Sequence, residues 1–371
     1  MLYFMKLTSI LEGGIQATFP KKINKYIEIV GSTNPRLNAM ALDSRLTIAA
    51  TLRKHYTKVG ITIVNNMDDL QALVAKKPDL VVLGMKLVLL DPAKSYDDSP
   101  KVWLSTYLEE NSIAYTGSDT IALALEFNKH EAKQKTIDAG LRSSAFFIST
   151  IIKPTFKHKL QFPLFVKPTN RGDSKGIDEQ SVVYTNAELK AKIQSIHNDC
   201  NSDALIEEYL PGREFSVAVI RQPHSDDLLA MPIEITTPAD KRGHSFLSEV
   251  VKDADTEKVL AVDDYKLKSL LNTLAVGVFK AIGSRDYGRI DMRLDSYGQP
   301  SFIEANLMPG LSDHGYLARC FYLNRRSSYP DMILAIVALG FMRNQPVSVM
   351  TLPQDSVEVL ATGLVNTLPV A

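Results

Sequence analysis

The sequence predicts a fold of mixed class, α/β and α+β: a doubly wound α/β domain over residues 26–118, a small central α+β domain over 119–210 and a larger α+β domain over 211–343. Three observations lead there. Up to residue 118, short apolar runs alternate with helical patterns, as in a parallel sheet wound with helices. Beyond that point strand-like runs meet across turn residues, as hairpins do. And 371 residues are too many for one ordinary core, so two or three domains are expected.

Residues 1–25 have no clear period and read as an N-terminal extension. A strand follows over 26–32, then a helical pattern over 44–56, a strand over 60–64 and a helix over 67–75. DLVVLGM, residues 79–85, is continuously apolar, which suits a parallel strand covered on both faces. WLSTYLEENSI reads as a helix and residues 114–118 as a short strand. One amphipathic helix is expected over 120–139, stopped by Gly140. Pro163 opens a strand over 162–167, where no ladder donor is required. The loop TNRGDSKGI joins it to a strand over 181–184, and Thr185 or Asn186 caps a helix over 186–196. Residues 204–209 turn from apolar to acidic, and Leu210-Pro211-Gly212 is the candidate hinge. Mainly strands follow from Glu214, then a helix over 264–282, a hairpin over 287–310, a final helix over 331–339 and a tail over 344–371.

Composition narrows the function. Net charge is zero, with no long basic or acidic run, which gives no ground for binding nucleic acid or anionic lipid. Cys200 and Cys320 fit neither a disulfide framework nor zinc spacing, and read as thiols of a reducing compartment. The N-terminus has a short apolar start without a basic flank, and no run of about 18 apolar residues occurs, so a cytoplasmic protein is expected.

Three stretches carry chemistry. In the hairpin YGRIDMRLDSYGQPSFIEANLMPG, Glu304 and Asn306 share one face of their strand, and Asp291 can face the same way. Two carboxylates and an amide suit Mg²⁺, which keeps waters and binds phosphate oxygens, although an exposed polar hairpin would read the same. The N-L-M-P-G segment that follows is forced into an irregular path, with N–H groups free to meet an anion. Lys167 ends an apolar strand beside a loop holding Gly172 and Gly176; it can reach a phosphate, or stand as a solvated gatekeeper. Ile206 to Glu214 enters a linker whose backbone could meet a heteroaromatic edge, or is simply an acidic linker.

In order, Lys129, the 162–168 strand with its glycine loop, the 206–214 linker, the 289–294 strand and the 302–310 strand resemble the ATP-grasp superfamily, most closely the D-alanine:D-alanine ligases. The resemblance runs over about residues 26–342. It implies the ATP-grasp fold behind an N-terminal α/β domain, a homodimer through that domain, and small amino-acid-like substrates. It also implies ATP and two Mg²⁺ ions, with Mn²⁺ an acceptable substitute. Lys129, Lys167 and the lid residue Lys252 would meet phosphates, with Gly172 and Ser174 in the loop above them. Glu207, Tyr209 and Leu210 would face adenine and Glu214 the ribose. Asp291, Glu304 and Asn306 would hold the metal, while Arg289 and the Gly310 N–H would stabilise the acyl phosphate and the tetrahedral intermediate.

The chain departs from that family's pattern where amino acids bind. After the first strand, Gly31-Ser32-Thr33-Asn34-Pro35 stands where a glycine pair, a serine and a glutamate are usual. The glycine loop carries Arg171, Asp173 and Ser174 in place of a glutamate and two serines, and Asp253 replaces the lid tyrosine. The serine that receives the second substrate's carboxylate falls on Gly315. The substrate candidates are therefore Asp173 for an ammonium, Arg319, Arg325 or Arg326 for a carboxylate, and His314 and Gly315 beside them. The expectation is an ATP-dependent carboxylate–amine ligase with altered specificity. A divergent D-alanine:D-alanine ligase, a kinase on the same clamp and an ATP-binding regulator without turnover are the alternatives.

Overall fold

The structure is a computed structural model and describes residues 22–343 apart from 36, 92–98, 173, 224, 249, 252–253 and 255. Its first sheet is parallel, in the order β2-β1-β3-β6, built from β1 (Ile23–Gly31), β2 (Tyr56–Ile63), β3 (Leu80–Leu83) and β6 (Ala114–Tyr115). Helices α1 (Leu42–Arg53) and α2 (Met67–Ala75) make its first crossovers. A side hairpin of β4 (Leu87–Leu89) and β5 (Lys101–Trp103) precedes α3 (Leu104–Glu110). β3 is buried along its whole length, as its unbroken apolar run requires. β1 starts three residues before the expected boundary, where the Ile23 N–H meets the His55 carbonyl. The helix expected through residue 56 ends at Arg53, since Tyr56 already opens β2.

The helix expected over 120–139 is two helices, α4 (Thr120–Ala124) and α5 (Lys129–Asp138). Asn128 breaks them apart with φ −126° and ψ 65°, outside the helical region. Its physical reason is the site: the break frees Glu126 to accept the Leu307 and Met308 N–H groups and starts α5 on the inward-facing Lys129.

The second sheet, in the order β7-β10-β8-β9, consists of β7 (Phe146–Ser149), β8 (Leu164–Pro168), β9 (Val182–Val183) and β10 (Ala204–Glu208). β8 and β9 pair antiparallel, as the expected hairpin does. Helix α6 (Asn186–Asp199) is capped by the Thr185 hydroxyl and covers this sheet with a small separate core of Leu164, Val166, Leu189, Ile193 and Ile206. The sequence reading passes over β7.

The third sheet is antiparallel, in the order β13-β12-β11-β14-β15: β11 (Glu214–Arg221), β12 (Leu228–Thr236), β13 (Lys258–Ala261), β14 (Tyr287–Leu294) and β15 (Pro300–Asn306). Helix α7 (Tyr265–Ala281) packs on it, N-capped by Asp264. A helix the sequence reading misses, α8 (Tyr316–Arg325), lies against β11 and β12. The last helix, α9 (Tyr329–Arg343), runs back to pack on α1, β3 and β6 of the first sheet. The expected tail lies outside the described residues. No described helix is long and apolar enough to cross a membrane, and both cysteines are free thiols.

Candidate active site

β14 and β15 pair so that Asp291 stands directly opposite Glu304, and Arg289 opposite Asn306. A register shift follows Asp291, and it turns the strand end on which these side chains converge. The Asp291 carboxylate is ringed by donors: Arg289 Nε and Nη2 at 3.0 Å each, Asn306 Nδ2 at 2.8 Å and Ser216 Oγ at 2.5 Å. Glu304 lies 3.8 Å from the Lys129 ammonium. Burial alone would lower the pKa of Arg289, but the paired Asp291 outweighs it and holds the guanidinium above its usual range.

No group of three or more His, Cys, Asp or Glu gathers for a metal among the described residues. The donor set here is two carboxylates and an amide, which still fits a hard cation that completes its shell with water and phosphate oxygens. Such a cation would take over part of the coordination that Arg289, Ser216 and Asn306 give Asp291.

The lysines are held by a buried relay. Glu207 and Lys167 sit diagonally across β10 and β8, 2.8 Å apart. The other Glu207 oxygen is 2.8 Å from Lys133, a fully buried lysine that also donates to Ser143 Oγ, Ser144 Oγ and the Phe302 carbonyl. Burial by itself would raise the Glu207 pKa; the two ammoniums reverse this and bring it down to about 2. Burial lowers the pKa of Lys129, whose Nζ donates to the Arg171 carbonyl.

Two hollows meet at this cluster. A narrow one of about 80 Å³ is lined by Phe165, Tyr209, Leu210, Phe246 and Ile303, with Lys167, Ser174, Glu207 and Glu214 around it. Phe165 stacks on Tyr209 at 6.5 Å and meets Phe246 edge-on at 5.5 Å. Arg293, which the sequence reading does not single out, organises its rim: it donates to the Leu210 carbonyl at 2.6 Å and pairs with Glu214 at 3.0 Å. The Ser174 hydroxyl donates to the Leu247 carbonyl at 2.8 Å. The wider cleft, of about 790 Å³, takes in Lys129, Gly172, Lys175, Asn306, Gly310 and Tyr316, with residues 37–39 of the first unit on its wall. Arg289 and Glu304 line both hollows.

The structure thus brings together Lys129, Lys167, Gly172, Ser174, Glu207, Tyr209, Leu210, Glu214, Arg289, Asp291, Glu304, Asn306 and Gly310. Other expectations fare differently. The N–H groups of Leu307 and Met308 are not free for an anion, because Glu126 accepts both. The Glu207 carboxylate, expected to face adenine, is paired with two buried lysines, Lys133 and Lys167. His314 is an exposed partner of Asp313, Gly315 caps α8, and neither these two nor Arg325 line the hollows. Asp173, Lys252 and Asp253 lie outside the described residues. Lys133, Glu126 and Tyr316 went unnoticed because only the tertiary fold sets them apart from ordinary helical residues; Tyr316 lies under the Arg289 guanidinium at 5.2 Å, its hydroxyl on Glu257.

Two antiparallel sheets closing on a pocket behind a parallel one define the ATP-grasp fold. The D-alanine–D-alanine ligase of Bacillus anthracis complexed with ATP has the same architecture, with a TM-score of 0.66 at 18% identity over 87% of this chain and 99% of that one. The VanG D-Ala:D-Ser ligase of Enterococcus faecalis follows at TM-score 0.60 and 19% identity, over 86% and 100%. The family model described as D-ala D-ala ligase C-terminus matches residues 140–338. An uncharacterised Sinorhizobium fredii protein, y4sG, is 32% identical over 64% of this chain and 69% of its own. The D-alanine–D-alanine ligase of Alcanivorax borkumensis is 32% identical over 62% and 76%, and that of Pseudomonas fluorescens 26% over 86% and 92%. The chain belongs to the D-alanine:D-alanine ligase family of ATP-grasp, ADP-forming ligases.

Proposed function

We propose that this protein is an ATP-dependent carboxylate–amine ligase that forms a dipeptide-type amide through an acyl phosphate, with a substrate choice other than two D-alanines. One observation carries the reading. Arg289 and Glu304 face both hollows, so the carboxylate hairpin stands at the seam between an aromatic pocket fit for a base and a polar cleft fit for small acids.

In this reading adenine lies against Phe165, Tyr209 and Phe246, Glu214 meets the ribose, and Lys129 and Lys167 hold the phosphates. A substrate carboxylate oxygen, oriented by Arg289 and the Gly310 N–H, attacks the γ-phosphorus. The bond from that phosphorus to the bridging oxygen breaks and ADP leaves. The amine of the second substrate then attacks the acyl carbon, losing its proton as phosphate departs. Asp291, Glu304 and Asn306 would hold two Mg²⁺ ions, or Mn²⁺, which offset phosphate charge during the transfer. A cytoplasmic homodimer paired through the N-terminal domain belongs to the same proposal, and sedimentation tests its dimeric state.

The test is ADP release against pairwise mixtures of amino acids, D-isomers included, with the product weighed by mass spectrometry. Hydroxylamine should trap a hydroxamate. ADP formation with no hydroxamate would point to a kinase on this clamp. Asp291→Asn should abolish turnover while the fold is retained, because a charged ligand is lost beside the phosphates. The relatives named D-alanine–D-alanine ligase favour a second reading, in which D-alanine serves as both substrates. ADP release on D-alanine alone decides for it.

A further inference from the structure

Arg289 is held by more than its carboxylate. Asp291 takes Nε and Nη2 side-on, at 3.0 Å each, which leaves Nη1 as the guanidinium nitrogen without a hydrogen bond among the described residues. Two bonds along one edge of a planar group define a line, and the plane can still swing about it. The face has to be held separately. Tyr316 does so: its ring lies against the guanidinium, with Cζ 5.2 Å from the ring centroid, within the range of a cation–π contact. Both residues line the wide cleft, and Arg289 also lines the narrow one, so the stack stands at the seam between them.

Tyr316 is itself pinned at two ends. Its backbone opens α8, whose first turns pack inward through Leu317, Cys320 and Phe321, each no more than 2% exposed. The Cys320 thiol meets the Ser216 carbonyl of β11 at 3.8 Å, and the hydroxyl of the same serine reaches Asp291. Helix and strand therefore hold the ring and the carboxylate in one frame. At the far end the phenol donates to Glu257 Oε1 at 2.7 Å, just ahead of β13. Glu257 Oε2 is buried with no hydrogen-bond partner, so among the described residues the phenol is what holds this carboxylate. Burial, and then the bond to Glu257, raises the Tyr316 pKa above its usual range, so the phenol stays a neutral donor.

We propose that Tyr316 is a positioning residue for the reaction: its ring fixes the plane of Arg289 so that Nη1 meets the phosphoryl group in transfer. This rests on the ligase reading, in which Arg289 steadies the acyl phosphate. Misplacing such a group by about 1 Å can cost about a hundredfold in rate. The effect of the ring therefore falls on the transferring phosphoryl and not on the bound nucleotide.

The test follows binding, so that neither amino-acid substrate need be known. ADP with Mg²⁺ is titrated into wild type, Tyr316→Phe and Tyr316→Leu, with and without aluminium fluoride, which mimics a phosphoryl group in flight. Both variants leave Glu257 without its donor, so a difference between them reads the ring alone. Wild type is expected to bind ADP about tenfold or more tighter with the fluoride than without it. Tyr316→Phe should keep most of that gain and Tyr316→Leu should lose it, with the affinity for ADP alone unchanged in both. A gain that survives in Tyr316→Leu overturns the proposal. A gain lost in Tyr316→Phe, or no gain in wild type, overturns it even if the leucine variant does not fold. Equal weakening with and without the fluoride marks a packing role and overturns it too. The ligase reading is judged separately, by ADP release and hydroxamate formation across the amino-acid panel, and its failure there leaves the fluoride titration to decide the role of Tyr316.

Discussion

Glu207 is the residue on which the phosphate end of the site turns. It separates two buried lysines, Lys133 and Lys167, and fixes the direction of the second. Replacing it by glutamine leaves two ammoniums without a counter-charge, an arrangement that costs about 3–5 kcal/mol when one partner of a buried pair is removed. Glu207→Gln is therefore expected to lower Tm markedly and to raise the KM for ATP more than that for the acid. The pH dependence has a definite sign. In the folded protein this carboxyl titrates at about 2, below its ordinary 4.5, so its contribution is complete above the unfolded value and is lost as pH falls from there toward 2. Melting curves of wild type and variant across that window test this: the wild type should lose the extra increment and the variant should not. The sequence marked Glu207 and Lys167 but missed Lys133. A lysine in the helix KHEAKQKTID shows no local sign of burial, and only the contact with Phe302 and the serines of the following segment makes it part of the site.

At the level of elements, the hairpin was the most legible part, because strand alternation and the Asp295 turn are local properties; the Gly298 N–H closes on the Asp295 carbonyl as that turn chemistry requires. The shared face of Glu304 and Asn306 follows from period two, whereas the placing of Asp291 opposite Glu304 depends on the register between the strands, which the sequence leaves open. The broken helix was not legible, since its apolar spacing continues across residues 125–128 while a tertiary demand cuts it. Glu126 supplies that demand. Its carboxylate joins Lys86 of the first unit to the Leu307 and Met308 N–H groups, immediately after the proposed ligand Asn306. Glu126→Ala leaves two backbone donors and a lysine unpaired, at about 1–3 kcal/mol for each buried group left unsatisfied. The segment after β15 should loosen, and the Mg²⁺ concentration for half-maximal ADP release should rise severalfold. A metal titration of the variant that matches wild type would remove Glu126 from this role.

For the whole molecule, the three sheets do not carry three independent cores. The central sheet and α6 have their own, but α9 leaves the third sheet and inserts Met332, Ile336 and Phe341 against the first, so one apolar cluster runs through both. This connection spans more than two hundred residues of sequence, and no local pattern announces it. Its polar anchor is Asp286, 1% exposed, at the entry to β14. Asp286 accepts from Arg343 Nη1 at 2.7 Å and from the Gly117 N–H at 3.0 Å, and Arg343 also donates to the carbonyls of Gly117 and Tyr115. Burial holds the Asp286 pKa above the usual range even with these partners, so removing Arg343 leaves the carboxylate buried with only the longer contact to Arg221, at 3.7 Å, as an ion pair. Arg343→Met should therefore cost about 3–5 kcal/mol, as breaking one side of a buried pair does. Adding Asp286→Asn should recover much of that loss, because the stranded charge is gone. Calorimetry distinguishes this from a general packing defect. If the pair joins the first and third sheets, Arg343→Met should split the unfolding endotherm, with the first sheet melting early, while ATP binding to the separately cored central unit and β14–β15 persists below that transition. A single endotherm shifted as a whole, with no recovery in the double variant, would assign the loss to α9 packing instead.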